Sequence, residues 1–233
     1  MKRVSLVVLG VFLMTASHHA AETYSFSSLN FPGSALTIPV AINARGDVVG
    51  YYEAVLNGPE SGFLYQDGRY ESIVFPGAIG TTEAIGISNS DEIVGDFYCG
   101  SVFCRHAFVL DHGQYAVVEP PAAIYSLASS INNRGQIVGY AIYPNSEGFF
   151  IYDRGVFTTL PTVGGSGSYT GLNSAGALVG FASGVGFLIS HGETKVIAFP
   201  GAAATQARAI NDSATVAGTY ATDTNTRSSF VYV

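Results

Sequence analysis

Residues 41–52 read AINARGDVVGYY, and versions of that stretch return as AIGISNSDEIVGDF at 84–97, SSINNRGQIVGYA at 129–141, TGLNSAGALVGFA at 170–182 and RAINDSATVAGTY at 208–220. Aligned on the glycine after the apolar pair, Gly50, Gly95, Gly139, Gly180 and Gly218 are spaced by 45, 44, 41 and 38 residues. Periods of that size belong to stacked or circular repeats, in which each unit buries its apolar face against the next. A second apolar stretch follows each motif: GFLYQDGRYESIVFPG, AFVLDHGQYAVVEPP, GFFIYDRGVFTTLP and FLISHGETKVIAFPG. Inside these, QDG, DHG, DRG and SHG are hairpin signals.

One unit therefore reads as four short strands. In the second they are Ala84 to Ser88, Glu92 to Tyr98, His106 to Leu110 and Gln114 to Glu119. Between the first two strands stands Asn-x-x-Gly (Asn43 to Gly46, Asn132 to Gly135, Asn173 to Gly176), where Asn bonds nearby backbone and Gly supplies positive φ. Ser88 to Asp91 and Asn211 to Ala214 lack that Gly, so those turns are expected to be built differently. The chain finishes on SSFVYV, which matches a third strand, and YSFSSLNFPG at 24–33 matches a fourth. The fold expected is an all-β, five-bladed β-propeller of four-stranded blades, closed by the N-terminal strand pairing with the C-terminal strands. Closure of that kind removes exposed sheet edges. Small residues near the end of each first strand (Ala41, Gly86, Ser130, Gly171, Ala209) suit five strands converging on an axis. A five-coil β-solenoid is the alternative, disfavoured by its shorter, more regular periods.

Met1 to Arg3 form a basic start to the apolar run Val4–Met14, which is too short to span a bilayer and ends in small and polar residues. Residues 1–21 read as a secretory signal, leaving 22–233 as a single five-repeat domain, secreted or periplasmic, without a membrane span and monomeric. The whole chain carries a formal charge of −7, with ten basic residues scattered among seventeen acidic ones, and that argues against nucleic acid. Cys99 and Cys104 in YCGSVFC are read as a disulfide in an oxidising compartment. His106 lies nearby, yet as a third ligand alone it does not make a closed zinc site, so no metal and no cofactor is expected.

The string His106-Ala107-Phe108, with Ile131-Asn132-Asn133-Arg134-Gly135-Gln136-Ile137-Val138-Gly139 and the Thr-Val-Gly-Gly at 162–165, resembles the HAF-type extracellular repeat of bacteria. Other units show Gly62-Phe63, Gly148-Phe149, Gly186-Phe187 and Ser229-Phe230 in its place. The resemblance covers essentially the whole mature chain. It implies a bacterial, exported, repeat-built protein and brings no catalytic residues with it.

Chemistry is sought on the face of the long, varied connections (54–61, 98–105, 143–147, 183–185, 222–228), because variable loops on a rigid scaffold are where binding resides. Five residues before each anchor Ile or Leu stand Thr37, Thr82, Ser126, Gly167 and Thr205. The four hydroxyls, with Arg208 and the aromatics Tyr52 and Tyr220, are the expected ligand-binding set at the channel mouth. Turn-making and core filling are the competing roles for the same side chains. Further aromatics (Tyr51, Phe97, Tyr98, Tyr140, Tyr143, Phe181) approach the same face. The expected function is non-catalytic recognition or scaffolding, with a glycan or envelope component as partner. The alternative is a glycoside-active enzyme with Glu83 and Asp96 as its carboxylates. Asp67, Asp111, Asp153 and His191 are explained by hairpin turns.

Overall fold

A computed structural model of the chain describes residues 26–100, 104–164, 167–223 and 226–233; the expected signal segment, 1–21, lies outside them. Among the described residues, nineteen strands form five antiparallel sheets, each a meander in chain order. Blade 1 comprises β1 (Leu36–Ile42), β2 (Val48–Glu53), β3 (Glu60–Gln66) and β4 (Arg69–Ile73). Blade 2 comprises β5 (Thr82–Ile87), β6 (Ile93–Tyr98), β7 (Arg105–Asp111) and β8 (Gln114–Val118). Blade 3 comprises β9 (Tyr125–Ile131), β10 (Ile137–Tyr143), β11 (Ser146–Asp153) and β12 (Val156–Leu160). Blade 4 comprises β13 (Ser168–Leu172), β14 (Leu178–Ala182), β15 (Val185–Ser190) and β16 (Glu193–Ile197). Blade 5 comprises β17 (Ala204–Ile210), β18 (Val216–Ala221) and β19 (Arg227–Tyr232). This is the five-bladed propeller expected from the repeats.

The recurrent glycine has a steric cause. The innermost strand of every blade carries a β-bulge, which leaves Val40, Ile85, Ser129, Thr170 and Arg208 outside the ladder. All five line one channel of about 310 Å³, together with the small residues that follow them, Ala41, Gly86, Ser130 and Ala209. A bulge re-aims side chains and bends its strand. Here the bend lowers a backbone carbonyl onto the neighbouring strand, so that a Cβ at Gly95 would stand 1.9 Å from Glu83 O, and one at Gly180 2.0 Å from Ser168 O. Only glycine fits beneath those carbonyls.

The Asn-x-x-Gly turns do more than reverse the chain. Asn132 Oδ1 accepts from the Arg134 and Gln136 N–H groups at 2.9 and 3.0 Å, while its Nδ2 donates to the Asn173 carbonyl of the next blade at 3.0 Å. Asn43 and Asn173 reach across in the same way to Ser88 O and Asn211 O. One residue on, Asn89 accepts from Ala44 N at 2.9 Å and Asn133 from Asn89 N at 2.8 Å. The turns thus bond blade to blade around the axis. The two turns without the usual Gly correct the expectation of a different build. Asp91 (φ 67°) and Ala214 (φ 62°) adopt the same left-handed backbone as Gly46, Gly135 and Gly176.

Apolar cores lie between blades. Val49, Val94, Val138 and Val179 are fully buried, each against the blade that follows. Ile87, Ile131 and Leu172 are 7%, 8% and 4% exposed, but their counterpart in blade 1, Ile42, is 67% exposed. In blade 5 the counterpart of the buried valines, Ala217, is exposed, as is Val231. Residues 26–30 form no strand, and β19 pairs with β18 alone among the described residues. The N-terminal pairing expected at 24–31 is therefore not present in the described part of that segment, and Tyr24 and Ser25 lie outside it.

Candidate functional site

In the second strand of each blade, the residue two past the recurrent glycine faces back, and the residue one past it faces forward. The backward residues hold the crossover. Phe31 stacks on Tyr52, Phe75 on Phe97 and Phe199 on Tyr220, each with centroids 3.7 Å apart and planes within 6°. Where the crossover has Pro-Pro or Leu-Pro instead, the facing position is Ala141 or Ala182, both buried.

Three of the expected mouth hydroxyls belong to the same joint, and their placement corrects the sequence reading. Thr37, Thr82 and Thr205 Oγ1 accept from the N–H of Phe31, Phe75 and Phe199 at 3.0, 3.3 and 3.0 Å. Ser126 Oγ accepts from Ala107 N at 2.9 Å. Thr82, Ser126 and Thr205 are at most 2% exposed. A hydroxyl that pairs a backbone N–H serves the fold, and Thr82, Ser126 and Thr205 are buried in that role rather than open at a mouth. Tyr52 and Tyr220 are likewise committed to crossover stacking. Arg208 alone of that set lines the channel, with Cζ 5.3 Å from the Phe181 ring and Nη2 donating to Gln206 Oε1 at 2.6 Å.

The forward-facing row contains Tyr51, Asp96, Tyr140, Phe181 and Thr219, and here chemistry gathers. Glu83 and Asp96 are direct cross-strand partners on β5 and β6. Arg105, opening β7, donates through Nε to Asp96 Oδ1, pairs through Nη2 with Glu83 Oε1 at 2.6 Å and reaches Tyr98 OH through Nη1 at 3.3 Å. Its guanidinium also lies 4.9 Å from the Tyr98 ring centroid. Glu60, the counterpart of Arg105 in blade 1, hydrogen-bonds Glu83.

Three carboxyls thus crowd one guanidinium. Burial pushes Asp96 up to about 7, with the Arg105 charge opposing and the Glu83 charge adding to the rise. Glu60 is also raised to about 7, by burial and then by its hydrogen bond to Glu83 and the charge there. Burial works against the Arg105 charge, but Asp96 and Glu83 outweigh it and keep the guanidinium ionised. With one cation among three acids, the cluster retains a proton near neutrality.

Asp96 and Arg105 of this cluster line a loop-face cleft of about 490 Å³ that spans blades 2 to 4. Asp96, Arg105, Ser129, Tyr140, Glu147 and Phe149 are among its lining. Tyr140 OH donates to Glu147 Oε2, and burial together with that bond raises the phenol to about 12. The structure therefore brings Glu83 and Asp96 together as cross-strand neighbours under a shared arginine, and of the two Asp96 lines the cleft. The sequence reading missed Arg105 and Glu147. The signal for Arg105 was a cation at the start of a third strand where blades 1 and 3 have Glu60 and Glu147, and blade 5 has Arg227. Cys99 and Cys104 form the expected disulfide at the end of the β6–β7 hairpin.

No family model matches the chain, and no curated protein matches it. Among solved structures it is similar to TolB from Acinetobacter baumannii, with a TM-score of 0.51 and 15% identity over 70% of this chain and 42% of that one. It is also similar to the β-propeller domain of the Trilobed protease from Pyrococcus furiosus, with a TM-score of 0.47 and 12% identity over 71% of this chain and 52% of that one. A third match is the Pyrococcus horikoshii acylaminoacyl peptidase, with a TM-score of 0.47 and 11% identity over 71% and 27% of the two chains. The match spans about half or less of each of those chains. At such identities the likeness concerns architecture alone: the chain has a β-propeller fold.

Proposed function

We propose that this protein is an exported, non-catalytic recognition or scaffold module that binds a glycan or envelope component through its loop face. The observation that carries this reading is the cleft across blades 2 to 4. Its charges are paired with one another (Arg105 with Asp96 and Glu83, Glu147 with Tyr140), while Tyr140 and Phe149 offer rings and Ser129 a hydroxyl. Charged groups that already bond partners within the protein, beside aromatic rings, suit an uncharged polyhydroxylated ligand, which stacks on the rings and exchanges hydrogen bonds at the edge. A glycan array probed with the mature chain tests this. Tyr140→Ala is expected to weaken a hit at least about tenfold, the equivalent of about 1.4 kcal/mol, whereas Asp67→Asn on the turn face leaves it unchanged. Loss of binding on the turn face instead would assign the surface to the wrong side.

A second reading, glycoside cleavage by Glu83 and Asp96, draws support from Asp96, which holds its proton to about 7 as a general acid must. Against it, cleaving carboxyls flank the scissile bond, and these two are cross-strand neighbours of which Asp96 alone is in the cleft lining. Turnover of a glycan that Glu83→Gln abolishes would favour this second reading.

The disulfide fits an oxidising compartment, in keeping with export and with the HAF-type repeats. Ring closure completes the proposal: the N-terminal segment 24–31 pairs with the C-terminal strands and covers the exposed Val231. The sequence match of 24–33 to the fourth strands and the Phe31–Tyr52 stack support it. Deleting Tyr24 to Phe31 should then lower the melting temperature markedly, and an unchanged melt would refute closure.

A further inference from the structure

At the loop-face end of blade 2, on the side packed toward blade 1, three ligand atoms meet. Cys99 and Cys104 are joined, and Cys99 N donates to Cys104 O at 2.9 Å across the hairpin end. Cys104 Sγ lies 3.7 Å from His106 Nε2, and one ligand atom from each of Cys99, Cys104 and His106 falls within 4.8 Å of the others. The far side of the imidazole is occupied, because His106 Nδ1 abuts Glu119 Oε2 and both atoms are buried. The ring turns its Nε2 toward the Cys104 sulfur. A carboxylate bonded to the remote nitrogen is what orients and strengthens a metal-binding histidine. The spacing fits as well. Zinc takes Cys sulfur at about 2.3 Å and His nitrogen at about 2.0–2.1 Å, which sets tetrahedral neighbours about 3.6 Å apart.

We propose that Cys99, Cys104 and His106 form a redox-gated zinc site, closed as a disulfide and opened by reduction. Opening consumes two electrons and two protons from an external dithiol. One of its thiolates attacks a sulfur of the pair, its second thiol displaces the resulting mixed disulfide, and the reagent leaves as its own disulfide while Cys99 and Cys104 become thiols. Zn²⁺ then replaces the two thiol protons and takes Nε2 of His106 as third ligand. The fourth position stays open to water or an external ligand, as in sites with three protein ligands. Glu119 positions the histidine and contributes no bond to the metal.

The test uses the full-length mature chain with Co²⁺ as a spectroscopic stand-in for Zn²⁺. After anaerobic reduction and removal of the dithiol, one equivalent of Co²⁺ should produce thiolate-to-metal charge-transfer absorption that Zn²⁺ abolishes. The oxidised chain should show none. His106→Ala should weaken Co²⁺ binding at least tenfold, and Glu119→Gln should weaken it less, with unfolding midpoints confirming that both variants are folded. His106→Cys should restore binding as a three-sulfur site, which separates a ligand role from a structural one. Absence of the charge-transfer band in the reduced chain would overturn the proposal. So would equal binding by the oxidised chain, or undiminished affinity in His106→Ala.

Discussion

Among the described residues, four junctions between successive blades are packed, and the faces that would make the fifth are not. At the junction of blades 3 and 4, Val138 is buried against Tyr169, Leu172 and Phe187. At the seam, the equivalent Ala217 of blade 5 and Ile42 of blade 1 are exposed. The strand, the turn and the recurrent glycine are the same in both places. What differs is the neighbour, and the lesson is that a blade has half a core on each face and depends on adjacent blades to complete it.

The largest expected effect probes that difference with one charge. Val138→Asp buries an unpaired carboxylate and should cost more than about 4 kcal/mol, while Ala217→Asp at an open seam should cost about 1 kcal/mol or less. Urea midpoints measure both, and similar losses would mean that the seam is packed in solution. A milder pair sharpens the result: Ile131→Ala removes a buried side chain and should cost about 2–5 kcal/mol, and Ile42→Ala should cost little unless residues 24–31 or blade 5 cover it.

Acidity separates the junction of blades 2 and 3 from the rest. The Asp96 carboxyl rises from an ordinary 3.8 to about 7 in the folded chain, chiefly through burial. Between about pH 4 and about pH 7 the unfolded chain has released that proton and the folded chain retains it, so stability falls as pH rises through this window. Glu60 acts in the same direction. Melting temperatures across pH 4–8 should show the decline, and Asp96→Asn should flatten part of it. The smallest effect belongs to the turns. Ala214, with its φ of 62°, sits where other blades use glycine, and Ala214→Gly should stabilise by about 0.5–1 kcal/mol. A loss would show that Ala214 is held by contacts that outweigh its backbone strain.

Much of this was readable before any coordinates. The type I′ hairpins were visible in QDG, DHG, DRG and SHG, and Asp67, His112, Arg154 and His191 do take positive φ, each followed by a glycine that does the same. The disulfide followed from two cysteines five residues apart. The mouth hydroxyls were misplaced because Thr82 looks alike in sequence whether it meets a ligand or an amide N–H seven residues away. The Phe–Tyr and Phe–Phe crossover stacks had left a trace nonetheless: FPG accompanies an aromatic two residues past the glycine, and Pro-Pro or Leu-Pro accompanies Ala.

By itself the amino-acid sequence determined the unit: its four strands, its turns, the count of five and the glycine beneath each bulge. Those features rest on local chemistry, on φ preferences and on alternation along a strand, and a chain carries them wherever it is placed. Only the tertiary structure decided which hydroxyls face backbone, which arginine gathers Glu83 and Asp96, and where a repeat ends against solvent. Each of those depends on groups brought together from different strands or blades, such as Asn132 on Asn173 or Glu60 on Glu83, and the distance between such groups is set by packing, to which no residue pattern refers.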